Sequence, residues 1–139
     1  MEKKLQNQLY KKYPKIFRQK NLPMTETCMC WGICFEKGWY WLIDNLCNTI
    51  QRYIDDNEHL KIPQVEAVQL KEKYGGLCFY YDGGDANIGG MVWLAEAMSY
   101  SICEICGSTK NVTVNETGWI TTRCKRCRDK EKRTKKLKK

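Results

Sequence analysis

Two matched cysteine pairs near the carboxyl end constrain this chain more than any other feature. They are Cys103-Glu-Ile-Cys106 and Cys124-Lys-Arg-Cys127, and 17 residues separate them. Two thiolates three positions apart around a tight turn can point at one metal ion, and a second such turn completes a tetrahedron. The spacing predicts one structural Zn²⁺ bound by Cys103, Cys106, Cys124 and Cys127. Unmetallated thiols, or a redox or iron role, are the alternatives.

The residues between the two pairs fit a small β-hairpin. Val112–Val114 and Trp119–Thr122 have strand character, and Asn115–Gly118 between them has turn character. This layout is typical of a zinc ribbon, in which the metal supplies most of the local folding energy because 25 residues cannot form a core alone. Four cysteine ligands leave no open coordination position, and no His-x-Glu element of the deaminase type precedes them. A catalytic zinc is therefore not expected.

The remaining cysteines are expected to stay reduced. The sequence shows no apolar run of the ~18 residues that a membrane span needs and no secretory signal, which predicts a cytoplasmic protein. Thiols remain reduced in that compartment, and nine cysteines cannot all pair with one another. Cys47 and Cys78 are expected to pack as small hydrophobic side chains. Cys28, Cys30 and Cys34 are dense enough that a second metal or a reactive thiol is an alternative to packing.

Positive charge is concentrated at the two ends of the chain. Of the net charge of +8, residues 1–20 carry +6, residues 21–122 carry −7 and residues 123–139 carry +9. The last segment begins inside the second cysteine pair and predicts contact with nucleic-acid phosphates. The candidate contact residues are Arg123, Lys125, Arg126, Arg128, Lys130, Lys132 and Arg133. A solvated tail and docking on an acidic protein surface are the alternatives, and the segment has no aromatic side chain for base stacking.

The first hundred residues predict a mixed α+β body. Apolar residues recur every three to four positions in three predicted helices, over residues 2–12, 39–54 and 86–100. Strands are predicted over residues 64–73 and 77–81, with a two-residue hairpin turn at Gly75–Gly76.

These elements define the expected domain organisation. The fold class is α+β, with a small helix–hairpin–helix body over residues 1–101 that includes the basic N-terminal helix. A zinc ribbon follows over residues 102–128. The basic tail, residues 129–139, is expected to be flexible, with extension as a helix as the alternative.

The glycine-rich hairpin also carries a candidate ligand site. Tyr80, Tyr81, Asp82 and Asp85 combine aromatic rings and carboxylates beside glycines that let a ligand approach the backbone. The helix that begins after Asp85 offers an N-terminus for an anion. A nucleotide-like ligand is one interpretation. Turn glycines, a helix cap and core aromatics are the other.

Short motifs spread from Tyr10 to Cys127 carry a family resemblance. They are Tyr13-Pro14-Lys15-Ile16-Phe17, Cys30-Trp31-Gly32-Ile33, Gly38-Trp39-Tyr40, Leu42-Ile43-Asp44, Leu46-Cys47, Lys71-Glu72-Lys73-Tyr74-Gly75-Gly76-Leu77, Phe79-Tyr80-Tyr81, Cys103-Glu104-Ile105-Cys106-Gly107 and Gly118-Trp119-Ile120. In these motifs the chain resembles an uncharacterised family of small zinc-binding proteins encoded by bacteriophages and prophages. The resemblance implies a viral accessory protein that acts in a bacterial host cell, and it transfers only the zinc ligands.

These observations predict a non-enzymatic zinc-ribbon protein that contacts nucleic acid or a host nucleoprotein. Such a protein would modulate transcription or inhibit a bacterial defence system such as CRISPR. Two other classes are carried as alternatives: a pure protein–protein inhibitor that uses the aromatic body, and a nucleotide binder or enzyme that uses the Gly/Asp hairpin. The sequence contains no nucleophile elbow, P-loop or GxGxxG motif.

Overall fold

A computed structural model describes residues 1–138 as a mixed α+β fold with four α-helices and two small sheets. The helices are α1 (Lys3–Lys12), α2 (Tyr40–Asp56), α3 (Ala86–Ser99) and α4 (Lys125–Leu137). The strands are β1 (Ile33–Cys34), β2 (Glu66–Lys73), β3 (Gly76–Asp82), β4 (Val112–Val114) and β5 (Thr122–Cys124). Short 3-10 turns cover Arg18–Asn21, Met29–Trp31, Lys37–Trp39 and Glu58–Leu60.

The larger sheet has the strand order β1-β2-β3. β2 and β3 form an antiparallel hairpin, and β1 adds a short parallel strand in which Ile33 pairs with Leu70. A bulge lies at Val68, and Ala67 and Leu70 on either side of it are both buried. The bulge therefore lets one strand direct two apolar side chains to the core without strict alternation.

The hairpin turn lies one residue earlier than the sequence predicts. Lys73 pairs with Gly76, so the two turn residues are Tyr74 and Gly75, with φ of 50° and 81°. Two positive φ values are what a tight hairpin of this kind requires. Gly76 belongs to β3 instead, where an added Cβ would lie 2.2 Å from the Tyr100 hydroxyl oxygen. Gly76 therefore lets the Tyr100 ring lie close to the backbone of β3 and is not a turn residue.

The core lies where α2 and α3 pack together and α3 covers β3. The apolar stripe of α2 buries Leu42, Ile43, Leu46, Cys47 and Ile50. The segment around α1 closes another side of the core with Leu9, Ile16 and Phe17, all fully buried. None of the helices in residues 1–138 is both long and apolar enough to cross a membrane.

The basic segment is helical from the second cysteine pair onward. The sequence predicts a flexible tail over residues 129–139, with a helix as the alternative. In the structure α4 runs through Leu137, so the described part of the tail is helical. Lys125 pairs with Asp129 at 2.6 Å and Glu131 pairs with Lys135 at 2.9 Å. These i,i+4 ion pairs favour the helix in a segment whose excess positive charge opposes it. The last residue of the predicted tail, Lys139, lies outside the described residues.

Candidate metal centre and adjoining basic helix

The four cysteines of the two pairs converge on one point. The sulfur atoms of Cys103, Cys106, Cys124 and Cys127 all lie within 4.8 Å of one another. The Cys106 and Cys124 sulfurs are 3.7 Å apart, and all nine cysteines are free thiols. Sulfurs around a tetrahedral Zn²⁺ at about 2.3 Å are separated by about 3.8 Å. The arrangement therefore fits a single four-coordinate metal site, as the sequence predicts.

The first cysteine pair lies on a tight turn that ends in a glycine. The Gly107 amide donates to the Cys103 carbonyl oxygen at 2.8 Å, which closes the turn over the intervening residues. Gly107 has φ of +77°, a left-handed conformation that glycine adopts without steric cost. The Cys103 amide in turn donates to the Ser108 carbonyl oxygen at 2.8 Å. The backbone thus directs both sulfurs of this pair to the same side.

The second cysteine pair lies at the junction of a strand and a helix. Cys124 is the last residue of β5 and precedes the first residue of α4, and Cys127 lies in the first turn of that helix. The change from strand to helix between them brings the two sulfurs to the same point. The Lys125 amide donates to the Asn111 carbonyl oxygen at 2.9 Å, which ties the junction to the start of the hairpin.

One thiol of this cluster, that of Cys127, is hard to ionise. Burial, followed by the neighbouring sulfurs of Cys124, Cys106 and Cys103, raises the pKa of Cys127 to about 12. Cys103 and Cys124 are themselves buried. Thiolates this close together repel one another, so a bound cation is the natural way to stabilise them. The chemistry of the site therefore suits a divalent metal with a preference for sulfur.

The first cysteine turn is bonded directly to the α+β body. The indole nitrogen of Trp39, which is fully buried, donates to the Ile102 carbonyl oxygen at 2.9 Å. The Gly38 amide donates to the Glu104 carbonyl oxygen at 2.7 Å, and the Glu36 amide donates to the Glu104 carboxylate at 3.2 Å. Burial raises the pKa of Glu104, whose side chain lies between the cysteine turn and the body. Residues 103–127, which we call the metal module, are therefore bonded to the body and not joined to it by a flexible linker.

The small hairpin of β4 and β5 is anchored as well. The Thr122 hydroxyl, which is buried, donates to the Gly75 carbonyl oxygen in the β2–β3 turn at 2.6 Å. The Thr122 carbonyl oxygen accepts the Glu104 amide at 3.1 Å. One residue of β5 therefore connects the first cysteine turn to the hairpin of the larger sheet.

The other cysteines do not form a second cluster. The four converging cysteines are the only group with metal-ligand geometry in residues 1–138. The thiols of Cys30 and Cys34 are exposed and donate to local backbone carbonyl oxygens at 3.4 and 3.7 Å. Cys47 is fully buried and burial raises its pKa, whereas Cys78 is only partly buried. The packing interpretation of Cys47 agrees with these positions.

Three of the predicted phosphate-contact residues have partners inside the protein, and one of these, Lys125, forms an exposed pair with Asp129. Arg123 forms an ion pair with Glu131 and is largely buried. The Arg128 guanidinium donates to the carbonyl oxygens of Thr113 and Thr121, at 2.8 Å for the latter, and to both threonine hydroxyls. The planar fork of Arg128 therefore holds the β4–β5 hairpin against α4. Charge alone does not reveal this structural role.

The remaining cations of the predicted set are displayed on α4. Arg126, Lys130 and Arg133 are exposed, and their i, i+4, i+7 spacing places them on one face of the helix. We call these three residues the α4 stripe. Among the described residues none of the three forms an ion pair, whereas Lys125 pairs with Asp129. Lys132 is exposed on a neighbouring face.

The four residues of the candidate ligand site differ in exposure and in hydrogen-bond partners. Tyr80 is exposed, whereas Tyr81 packs against the core. Asp82 accepts a hydrogen bond from the Gln19 amide at 3.4 Å. Asp85 caps α3 by accepting from the Ile88 amide at 3.0 Å, and the Tyr53 hydroxyl donates to it at 2.8 Å. Both carboxylates therefore already have partners within the fold.

Two strongly exposed aromatic side chains lie beside the metal module and are not evident from the sequence. Trp119 is 82% exposed near the tip of the β4–β5 hairpin, and Tyr74 is 73% exposed in the turn of the larger hairpin. They line one cleft of about 280 Å³ together with Lys73 and Ile120. The only available signal is that Trp119 follows a turn glycine, which puts a large ring at a hairpin tip.

Comparisons with known proteins give no match among family models, curated proteins or solved structures.

Proposed function

We propose that this chain is a nucleic-acid-binding protein in which one Zn²⁺ holds a hairpin together with a basic helix. The observation that carries the proposal is the α4 stripe, three exposed cations in one row on a helix that starts at the metal ligands. The stripe spans about 10 Å along the helix axis. Its side chains are available for phosphates because none of them forms an ion pair within residues 1–138. The nearby Arg123 and Lys125, in contrast, pair with carboxylates of the same helix.

The choice of zinc follows from the ligand set. Four thiolates in tetrahedral arrangement favour Zn²⁺ among the common divalent ions, and magnesium and calcium prefer oxygen ligands. Four protein ligands fill the coordination shell, so the ion acts as a structural element. The chain's function in this proposal is binding, and no reaction is assigned to it.

The α4 stripe supports electrostatic contact without sequence readout. Phosphate contacts by Lys and Arg position a protein on nucleic acid and carry no base specificity by themselves. Contact by the three stripe residues predicts a slope of log K against log salt of about −2.7 on duplex DNA. Adding Lys132 and Lys136, which are also exposed, brings the expected slope to about −4.5.

The test is a triple variant in which Arg126, Lys130 and Arg133 become Gln. Binding of a fluorescent 20-base-pair duplex is followed by anisotropy at several salt concentrations. The affinity should fall, and the slope of log K against log salt should become shallower by about 2.7. The matched control replaces Arg52, Lys61 and Lys110 by Gln, which removes the same charge from exposed positions elsewhere. Equal weakening by both triples would reduce the proposal to nonspecific attraction by net charge.

The resemblance to phage and prophage proteins supports a bacterial cell as the setting of this binding. In that setting the protein would act on a nucleic acid or nucleoprotein, for transcription control or against a defence system. A pull-down from bacterial lysate with and without nuclease addresses this. Capture of the same partner after nuclease treatment and at high salt would replace our proposal by the protein-inhibitor class.

A further inference from the structure

A second basic surface lies at the opposite end of the sequence. α1, the Arg18–Asn21 turn and the Met29–Trp31 turn enclose an open groove of about 850 Å³. We call it the N-terminal groove. Its volume falls within the range of sites that take ligands of nucleotide size. It lies apart from α4 and from the metal centre, because none of their residues lines it.

The lining of the N-terminal groove is basic. It includes Lys3, Lys11, Arg18 and Lys20 but no Asp or Glu. Arg18 is bound to the Glu66 carboxylate at 2.7 and 2.8 Å, which neutralises its charge. The other three cations have no carboxylate partner within residues 1–138. The amides of Asn7 and Asn21 also line the groove and offer hydrogen-bond donors and acceptors.

One wall of the N-terminal groove is an exposed tryptophan on a fixed backbone. Trp31 is 65% exposed. Its amide donates to the Cys28 carbonyl oxygen at 3.2 Å, and the following Gly32 amide donates to the Met29 carbonyl oxygen at 3.0 Å. The Gln6 side chain of α1 accepts a hydrogen bond from the Ile33 amide at 2.8 Å, which ties this segment to the helix. The indole is thus exposed although its main chain is held in place.

We propose that the N-terminal groove binds an unpaired nucleotide of a single-stranded nucleic acid. The base stacks on Trp31, and the flanking phosphates contact Lys3, Lys11 and Lys20. Exposed aromatic rings next to cations are the combination by which proteins bind single strands, because every base has a stacking face. A duplex does not present its bases to such a ring, since they are already stacked within the helix. The site is independent of the α4 stripe.

The first experiment compares two exposed tryptophans in the full-length protein. Trp93 on α3 is 78% exposed and does not line the groove, so Trp93→Ala is the matched control for Trp31→Ala. With fluorescein-labelled dT10 and anisotropy detection, Trp31→Ala should weaken binding about 5- to 150-fold, the range expected for the loss of one stacked base. Trp93→Ala should leave the affinity unchanged, and Trp31→Tyr should recover most of it.

The second experiment identifies the anionic contacts and the source of the nucleotide. A variant with Lys3, Lys11 and Lys20 replaced by Gln should lose about 2 from the salt slope for dT10, at ~0.7 per phosphate. The Arg52, Lys61 and Lys110 triple again serves as the control. Unlabelled dTMP should compete only at concentrations far above those of dT10. Equally effective competition by dTMP would assign the groove to free nucleotides and overturn the single-strand proposal.

The outcomes separate this site from the α4 stripe. If Trp31→Ala binds dT10 like Trp93→Ala, the groove proposal fails, whatever the α4 triple variant shows on duplex. If the α4 triple variant keeps duplex binding while Trp31→Ala loses dT10 binding, the groove stands without the proposed function. Circular dichroism and metal content of each variant verify that exposed-residue substitutions leave the fold intact.

Discussion

The amide of Gly38 donates a hydrogen bond to the carbonyl oxygen of Glu104 at 2.7 Å, so the body touches the first cysteine turn backbone to backbone. A Cβ on Gly38 would lie 2.1 Å from the Cys103 carbonyl oxygen and 2.3 Å from that of Glu104. Backbone atoms held by hydrogen bonds cannot yield easily. We expect Gly38→Ala to lower the free energy of unfolding by about 1–3 kcal/mol, as overpacking does, and to weaken metal retention.

The control for this prediction is an exposed helical glycine replaced by alanine. Gly90 lies in α3, and its added Cβ would meet no atom within 4 Å. Gly90→Ala should raise the free energy of unfolding by about 0.5–1 kcal/mol, because alanine is the better helix former. Urea unfolding measures both. Equal stability of Gly38→Ala and the parent protein would refute the docking described above.

Metal analysis is expected to find one zinc per chain, and Cys103→Ser or Cys127→Ser should abolish binding. Removing the ion with a chelator should lower the melting temperature, because metal binding and local folding are coupled. Cys30→Ser and Cys34→Ser serve as controls, since these exposed thiols bond only to local carbonyl oxygens. They should retain the full metal content. A folded, metal-free parent protein with unchanged melting temperature would contradict the zinc assignment.

Arg128 and Arg126 are expected to behave in opposite ways. Arg128→Gln removes charged hydrogen bonds to the carbonyl oxygens of Thr113 and Thr121, and should cost about 1–3 kcal/mol of stability. Arg126→Gln should change stability by less than about 0.5 kcal/mol, since the side chain is exposed. It should nevertheless reduce the salt slope for duplex DNA by about 1. Thermal unfolding and anisotropy together measure both effects, and loss of stability by Arg126→Gln would count against the assignment.

The helix cap formed by Asp85 is expected to make part of the free energy of unfolding depend on pH in acid. Hydrogen bonds from the Ile88 amide and the Tyr53 hydroxyl lower the pKa of its carboxyl below the ordinary value. A carboxyl with a lowered folded-state pKa contributes stability above its unfolded pKa, about 3.9, and loses it as pH falls through the folded value. Asp85→Asn keeps an acceptor for the helix cap but cannot titrate. Its free energy of unfolding should therefore fall less than that of the parent between about pH 5 and pH 2.

Urea unfolding at several pH values measures this difference, with Asp56→Asn, an exposed carboxylate at the end of α2, as the control. Protonation of the metal ligands affects all three proteins alike and cancels in the comparison. Parallel pH curves for Asp85→Asn and the parent would show that the cap makes no pH-dependent contribution.

The parts of the fold that depend on local patterns are predictable from the sequence. The apolar stripe of α2 is periodic in the sequence, and the helix it predicts is confirmed. The two matched cysteine pairs are a spacing motif, and the convergence of their four sulfurs is confirmed as well. β1 is not predictable because two residues carry no pattern, and the pairing of Ile33 with Leu70 defines it. The turn at Tyr74–Gly75 is also set by pairing, since Lys73 pairs with Gly76, and two adjacent glycines do not reveal which of them belongs to the strand.

The candidate site shows the same division. Spacing predicts which cysteines meet, since a turn and its metal are local. The positions of Lys and Arg along the sequence show where positive charge concentrates, but the partner of each cation depends on the fold. Arg128 reaches carbonyl oxygens 7 and 15 residues away, and Trp31 becomes the wall of a groove only because α1 packs beside its turn.

With the proposed Zn²⁺ bound, the start of α4 at the cysteine ligands would make the geometry of its charges dependent on the ion. A helix of 13 residues with this excess of like charge is marginal in isolation, because its first turn is costly to form. A metal that holds Cys124 and Cys127 fixes that first turn in advance. We expect the zinc-loaded protein to hold the charges of Arg126, Lys130 and Arg133 at fixed distances from one another along the helix. Stripped of the ion, the same residues become a flexible polyelectrolyte, so metal supply would decide which of the two a nucleic acid encounters.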